Sequence, residues 1–343
     1  MPYGSAYIFL LPFELHTSAD FVHHLEIELD GLRVRVFPPF KDGPGLQLHR
    51  SLVNESLPFL PGTSKPSSRL PNLELNGAAG WPKPFFLCDA LRVDVQGLDE
   101  SASKAVAEIG RRLLRLVRFV TRQWWIMRGA SESLSPLQNA FRIDSWGQPL
   151  GGTLYRTAHI LPWLGSEVLV DQATFGASLA YLEQGVTAPS SAMTLLDSVF
   201  ASTHGDKEQG VLLAAIACES LFSTECFQAV QLGMTAASTA KKFVKQSDLR
   251  QRFHFGALAI FGRSFSEDRP ASAAWLGRLW LARHAIAHGS PRQLEMQAIL
   301  HDQGDFANAM HAAFSFFEWF AQVRYRAEND PMRQFVRPFV TSA

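Results

Sequence analysis

Cysteine is scarce in this chain, charge of either sign has no surplus, and no hydrophobic run is long. Each shortage removes a class of protein. The three cysteines, Cys88, Cys218 and Cys226, form no CxxC pair and no disulfide framework. They read as buried thiols in a reducing compartment. Lys+Arg and Asp+Glu stand at 32 each, so net charge offers no argument for nucleic-acid binding. Local patches must carry that argument. No segment reaches about 18 uninterrupted apolar residues, so no membrane span is expected. The opening stretch MPYGSAYIFLLPFELHTSAD lacks the basic region and small-residue cleavage site of a signal peptide. A cytoplasmic protein is the expectation.

Cofactor signatures are missing as well. No GxGxxG follows a strand and no GxxxxGKS/T occurs, so nothing in the sequence cradles a nucleotide phosphate. HExxH, zinc-finger spacing and GxSxG are absent too. His23 and His24 open an extended run, where adjacent side chains point to opposite faces. They are ordinary strand composition rather than a metal site. The expectation is no metal and no cofactor.

What the chain does hold is core material. Hydrophobic residues make up 47% and charged residues 19%, a globular composition. Its 343 residues suffice for two domains. The pattern changes part-way along. AYIFLLPF reads as a strand, and HHLEIELDGLRVRVFPPF as two alternating runs joined at Asp30-Gly31, a dipeptide suited to a type I′ hairpin turn. Pro39 to Pro84 is dense in Pro, Gly, Ser and Asn and reads as loop. PFFLCDALRVDVQG supplies another strand or two. ESASKAVAEIGRRLLRLVRFVTRQWWIMRG then reads as a long helix, with Ser101 as N-cap and Gly129 just past its end. In the mixed region 130–188, GSEVLVDQATFG reads as a strand and FGASLAYLEQG as a short helix.

From 189 onward helical periodicity dominates, with helices placed near 190–203, 206–223, 225–245, 250–264, 271–288 and 303–327. The last carries Phe306, Met310, Ala313, Phe317 and Phe320 on one face. The expected fold class is an α+β N-terminal domain over 1–188, followed by an all-α helical bundle over 189–343.

Two constellations stand out. Arg111, Arg115, Arg118 and Arg122 fall at spacings of four, three and four, which puts all four on one face of the long helix. Such a stripe contacts phosphates, whose oxygens match the arginine fork. The commoner reading is a solvated or acid-paired face, since charged helix faces are frequent. Within the helix only Glu108 is available to compensate it.

The second is LARHAIAHG, Leu281 to Gly289, at the end of the apolar helix AAWLGRLWLARHAIAHGSP, with Leu276, Leu279, Trp280 and Ile286 as its apolar stripe. Gly289 and Pro291 read as its stop. His284 and His288 share a face at i,i+4. Arg283 and His288 are five apart, about 140° around the helix, and do not form a same-face pair within one chain. Three chemistries compete for this segment. The basic groups complement the negative end of the helix dipole. His284 and His288 chelate a metal, for which the sequence offers no third ligand. Or His288 moves protons near neutral pH while Arg283 stabilises a phosphate.

RHAIAH, Arg283 to His288, resembles the Arg, four-residue spacer, His motif of HEPN domains. VLLAAIACESLFS, with Glu219 among small apolar residues and Leu221-Phe222 after it, resembles the acidic helix of the Apea-like HEPN branch. The order of helices over about 190 to 330 is similar as well. The resemblance implies an HEPN-type helical bundle that forms a homodimer, with two Arg-His motifs facing one cleft. It implies a metal-independent endoribonuclease in which the ribose 2′-hydroxyl attacks the adjacent phosphate. Carried over by position, His288 is general acid or base and Arg283 holds the scissile phosphate. His284 orients one of these or touches RNA, and Glu219 holds Arg283 through a charge-assisted hydrogen bond. RNA is then the substrate. A prokaryotic anti-phage defence (abortive infection) or toxin effector is implied, with a phage-derived trigger or antitoxin acting at the N-terminal domain. The competing expectation is a non-catalytic HEPN dimerisation module whose N-terminal domain binds a ligand or peptide.

Overall fold

A computed structural model describes residues 5–18, 20–21, 23–39, 85–95, 101–127, 140–142, 168–246, 248–288, 299–324 and 331–335. The chain divides into two compact units, Met1–Thr187 and Ala188–Ala343. The first is α+β and the second helical throughout its described residues.

In the first unit, strands β1 (Ser5–Ser18), β2 (Leu25–Leu29), β3 (Leu32–Val36), β4 (Phe85–Val95) and β5 (Ala140–Arg142) form a sheet in the order β2-β3-β4-β1-β5. All its ladders are antiparallel. Asp30 and Gly31 both take positive φ, 52° and 77°, which is the type I′ geometry expected of them. β4 is a single long strand. Against it, the register of β1 slips between Leu10 and Leu15. Pro12 lies inside that slip; having no N–H, it cannot serve the ladder. Phe9, Leu11, Phe13 and Leu15 alternate into the core.

Helix α1 (Ser101–Thr121) packs on this sheet through Gly110. A Cβ there would stand 3.0 Å from the ring of Phe9. Helix α2 (Gln172–Glu183) opens with an Asp171–Thr174 capping box. Among the described residues, the strand expected before it is reduced to one parallel bridge, Thr17 to Val170.

Buried Gln123 closes the edge of β1. Its side-chain oxygen accepts from the His16 N–H at 3.0 Å, and its amide donates to the carbonyls of His16 (2.9 Å) and Val168 (3.0 Å). Gln123→Leu keeps the volume but strands the His16 N–H and the Val168 carbonyl, at a cost of about 2–3 kcal/mol; the His16 carbonyl keeps its bond from the Val170 N–H. Denaturant unfolding followed by circular dichroism measures this, and an unchanged midpoint would contradict it.

The second unit contains α3 (Ser190–Thr203), α4 (Lys207–Gln231), α5 (Ala237–Val244), a π-helical turn (Arg250–Gly256), α6 (Ala257–Phe261), α7 (Phe265–Asp268), α8 (Pro270–His288), α9 (Gln303–Arg324) and α10 (Pro331–Phe335). The two helices expected over 206–245 are instead one long helix, α4, and a short one, α5. Nothing between Val211 and Leu232 stops α4. It ends in a Schellman motif, where Gly233 takes φ 69° and the Met234 N–H reaches the Ala229 carbonyl at 2.8 Å.

Among the described residues, α4 alone is long and apolar enough to cross a membrane by length and composition. However, 56% of its most apolar window is buried inside the fold. It is the helix that α3, α8 and α9 pack against. The core beneath is aromatic: Phe222, Phe253, Phe265, Phe316, Trp319 and Phe320 meet largely edge-to-face, the preferred geometry for their quadrupoles. Gly289 and Pro291 lie outside the described residues, as do Gly129 and almost all of Pro39 to Pro84.

Candidate functional site

The arginine stripe on α1 is not a phosphate-facing ladder. The helix ends at Thr121, and Arg122 sits beyond it at φ 56° with a buried side chain. Arg118 is buried too, and its Nε and Nη2 donate to the Trp124 carbonyl at 3.1 and 2.8 Å. Only Arg111 and Arg115 are exposed, and Arg111 pairs with Glu108. The cause is the fold-back of Trp124 and Trp125 into the core. It buries the turn after the helix and leaves its carbonyl for Arg118 to satisfy.

The second unit brings a different set of charges together. Glu219 lies midway along α4, flanked by buried Cys218 and half-buried Ser220. Arg283 lies one turn before the end of α8. Its Nη2 comes within 3.6 Å of Glu219 Oε1, an ion pair rather than the hydrogen bond expected, since that distance exceeds hydrogen-bond range. A second guanidinium reaches the same oxygen: Arg252 Nη1 is 3.4 Å from Glu219 Oε1. Both arginines lie over the ring of Trp280, at 5.7 Å for Arg252 and 5.6 Å for Arg283, within cation–π range.

Arg252 escaped the sequence reading because it stands on the π-helical turn, where ordinary helical spacing does not apply. Packing holds that turn in place. A Cβ on Gly256 would lie 2.9 Å from Phe243 Cβ and 3.1 Å from Phe222 Cζ, so a side chain there would force the turn outward. Phe253, beside Arg252, packs edge-on against Trp280 at 5.4 Å.

Burial lowers the pKa of Arg252 from its ordinary value; Glu219 opposes that shift and neighbouring Arg283 adds to it. Arginine keeps its proton regardless. The adjoining thiols are not nucleophiles. Burial, with Glu225 assisting, pushes Cys226 up to about 12, and burial followed by Glu219 raises Cys218 further still. Neither supplies a thiolate near neutral pH.

His284 and His288 are exposed, with ring centroids 4.5 Å apart on consecutive turns of α8. Among the described residues no hydrogen bond or ion pair joins them to Arg283 or Glu219. No group of three His, Cys, Asp or Glu side chains is placed to hold a metal ion there. The fold therefore unites Glu219 with Arg283, and His284 with His288, as two separate pairs.

A further polar cluster gave no motif. Ser264 Oγ and Ser266 Oγ lie 2.5 and 3.0 Å from His254 Nδ1. His254 and Ser266 line a cleft of about 310 Å³ together with Leu249, Arg250, Phe253, Phe265 and Leu276. Ser264 is fully buried, which keeps its hydroxyl from acting on an outside molecule.

Compared with known proteins, the chain matches no family model, no curated protein and no solved structure.

Proposed function

We propose that the chain is a homodimeric, metal-independent endoribonuclease of HEPN type that cleaves RNA through attack of the 2′-hydroxyl on the adjacent phosphate. One observation carries this reading. The acid of ACESLF and the arginine of RHAIAH, far apart in sequence, meet at 3.6 Å, while both histidines of the segment stay open to solvent. In this reading Arg283 holds the scissile phosphate and offsets charge developing on it. His288 transfers the proton, and His284, whose ring lies beside it, orients it or touches RNA. Glu219 keeps Arg283 in place.

The separation of the two pairs accounts for the dimer. Arg283 turns inward to Glu219 and Trp280, and His288 lies about 140° further around the helix. A second chain supplies the missing half of each site. The first unit would then receive the trigger or antitoxin of a prokaryotic defence or toxin system.

The test is purified protein with RNA in EDTA, beside Arg283→Ala and His288→Ala variants. Cleavage should proceed without metal and leave 2′,3′-cyclic phosphate ends. Activity that requires added metal, or that survives both substitutions, would overturn the proposal.

A second reading, a non-catalytic dimerisation module, draws on exposed apolar side chains. Ile216 and Phe227 stand three turns apart on one face of α4, and Leu232 and Met234 follow its end. Under that reading RNA stays intact in every condition, while His288→Ala folds and dimerises normally.

A further inference from the structure

We propose that Arg252 is a positioning residue for anion binding. By sharing the single carboxylate of Glu219 with Arg283, it leaves the cluster a net positive charge that a phosphodiester neutralises. This rests on the reading of Arg283 as the phosphate-holding residue.

The charge count is simple. Two guanidiniums converge on one oxygen, at 3.4 and 3.6 Å. The acid two turns further along the same helix, Glu225, pairs with Arg324 at 3.2 Å. A cluster built for stability alone would match its charges, because an uncompensated cation in a partly buried site is costly. Among the described residues one positive charge is left over here.

The two arginines differ in what they can offer a ligand. The Arg252 side chain is 12% exposed and that of Arg283 25%. Arg252 gives one nitrogen to Glu219 and another to the Val244 carbonyl. Its Nε is buried, with no hydrogen-bond partner among the described residues. It is committed inward. Arg283 has only its Nη2 near the carboxylate, so its remaining N–H groups serve an incoming anion. The indole of Trp280 lies beneath both. Its cation–π attraction offsets part of the repulsion between the two like charges.

Without Arg252, the carboxylate would neutralise Arg283 alone, and the site would lose its pull on phosphate. Without Glu219, two free cations would bind an anion more strongly, but Arg283 would lose its anchor. The two substitutions should therefore move affinity in opposite directions.

The experiment uses the full chain and a labelled 2′-O-methyl oligoribonucleotide, which cannot be cut because its nucleophile is blocked. Binding is followed by fluorescence anisotropy across a salt series. Arg252→Gln should weaken binding about tenfold, because Glu219 then neutralises Arg283, and flatten the plot of log affinity against log salt by about 0.7. Arg252→Lys should restore most of the affinity. Glu219→Gln should tighten binding while slowing cleavage of unmodified RNA. Opposite shifts in binding with no RNA cleavage by the wild type would support the site and sink the nuclease reading. Cleavage by the wild type with binding unmoved by either variant would overturn this inference alone. So would weaker binding in Glu219→Gln, or no oligonucleotide binding by the wild type. Should Arg252→Gln fail to fold, the Arg252→Lys and Glu219→Gln results decide.

Discussion

His288→Ala should lower the rate of RNA cleavage by about 10²–10⁴-fold while leaving RNA affinity nearly unchanged, the signature of a lost general acid or base. The side chain is exposed and its ring meets only that of His284 among the described contacts. Removing it therefore strands no buried group, and the melting temperature should hold. Single-turnover cleavage of a labelled RNA measures the rate, and a loss below tenfold would count against the assignment. His284→Ala should cost less, because its role is to orient.

Mixing sharpens this prediction. Arg283→Ala and His288→Ala proteins are each inactive, but co-refolded together they should recover about a quarter of wild-type activity. Half of randomly mixed dimers are mixed, and each of these carries one intact site of two. A site housed within one chain gives no recovery at all. Complementation thus reads directly whether Arg283 and His288 act across a two-fold interface.

Phe316→Ala should destabilise the helical unit by about 3–5 kcal/mol, the range for truncating a fully buried aromatic side chain. Phe316 lies on α9 with no exposed surface. Its ring meets Phe253 at 4.7 Å, Phe320 at 5.0 Å and Phe265 at 5.1 Å, so its loss opens a cavity bordered by several elements. Phe253 sits beside Arg252 and packs on Trp280, so that cavity lies directly behind the arginine cluster. Denaturant unfolding gives the magnitude, and Phe316→Leu should recover most of it. A change below about 1 kcal/mol in Phe316→Ala would show that the aromatic layer is not the core of this unit.

Much of the secondary structure was legible because its causes are local. Asp30-Gly31 prescribes a hairpin by the positive φ it tolerates, and α3 covers the span that its periodicity predicts. The ends of α8 and α9 also fall close to expectation. Boundaries failed where the deciding contact is distant. α1 stops at Thr121 because Trp124 and Trp125 turn into the core; their spacing within the chain carries no sign of that. The same turn took Arg118 and Arg122 off the surface and dissolved the four-arginine stripe.

For the candidate site, the chain alone specified that Glu219, Arg283, His284 and His288 lie on helices, and that the two histidines share a face while Arg283 does not join them. These follow from residue spacing and the 3.6-residue turn. Tertiary structure decided the rest: that Glu219 meets Arg283, that Arg252 joins them from a π-helical turn, and that Trp280 underlies both cations. The physical reason is range. Helical phase is set by neighbours a few residues away, whereas the pairing of a charge is set by which helices the hydrophobic core brings together.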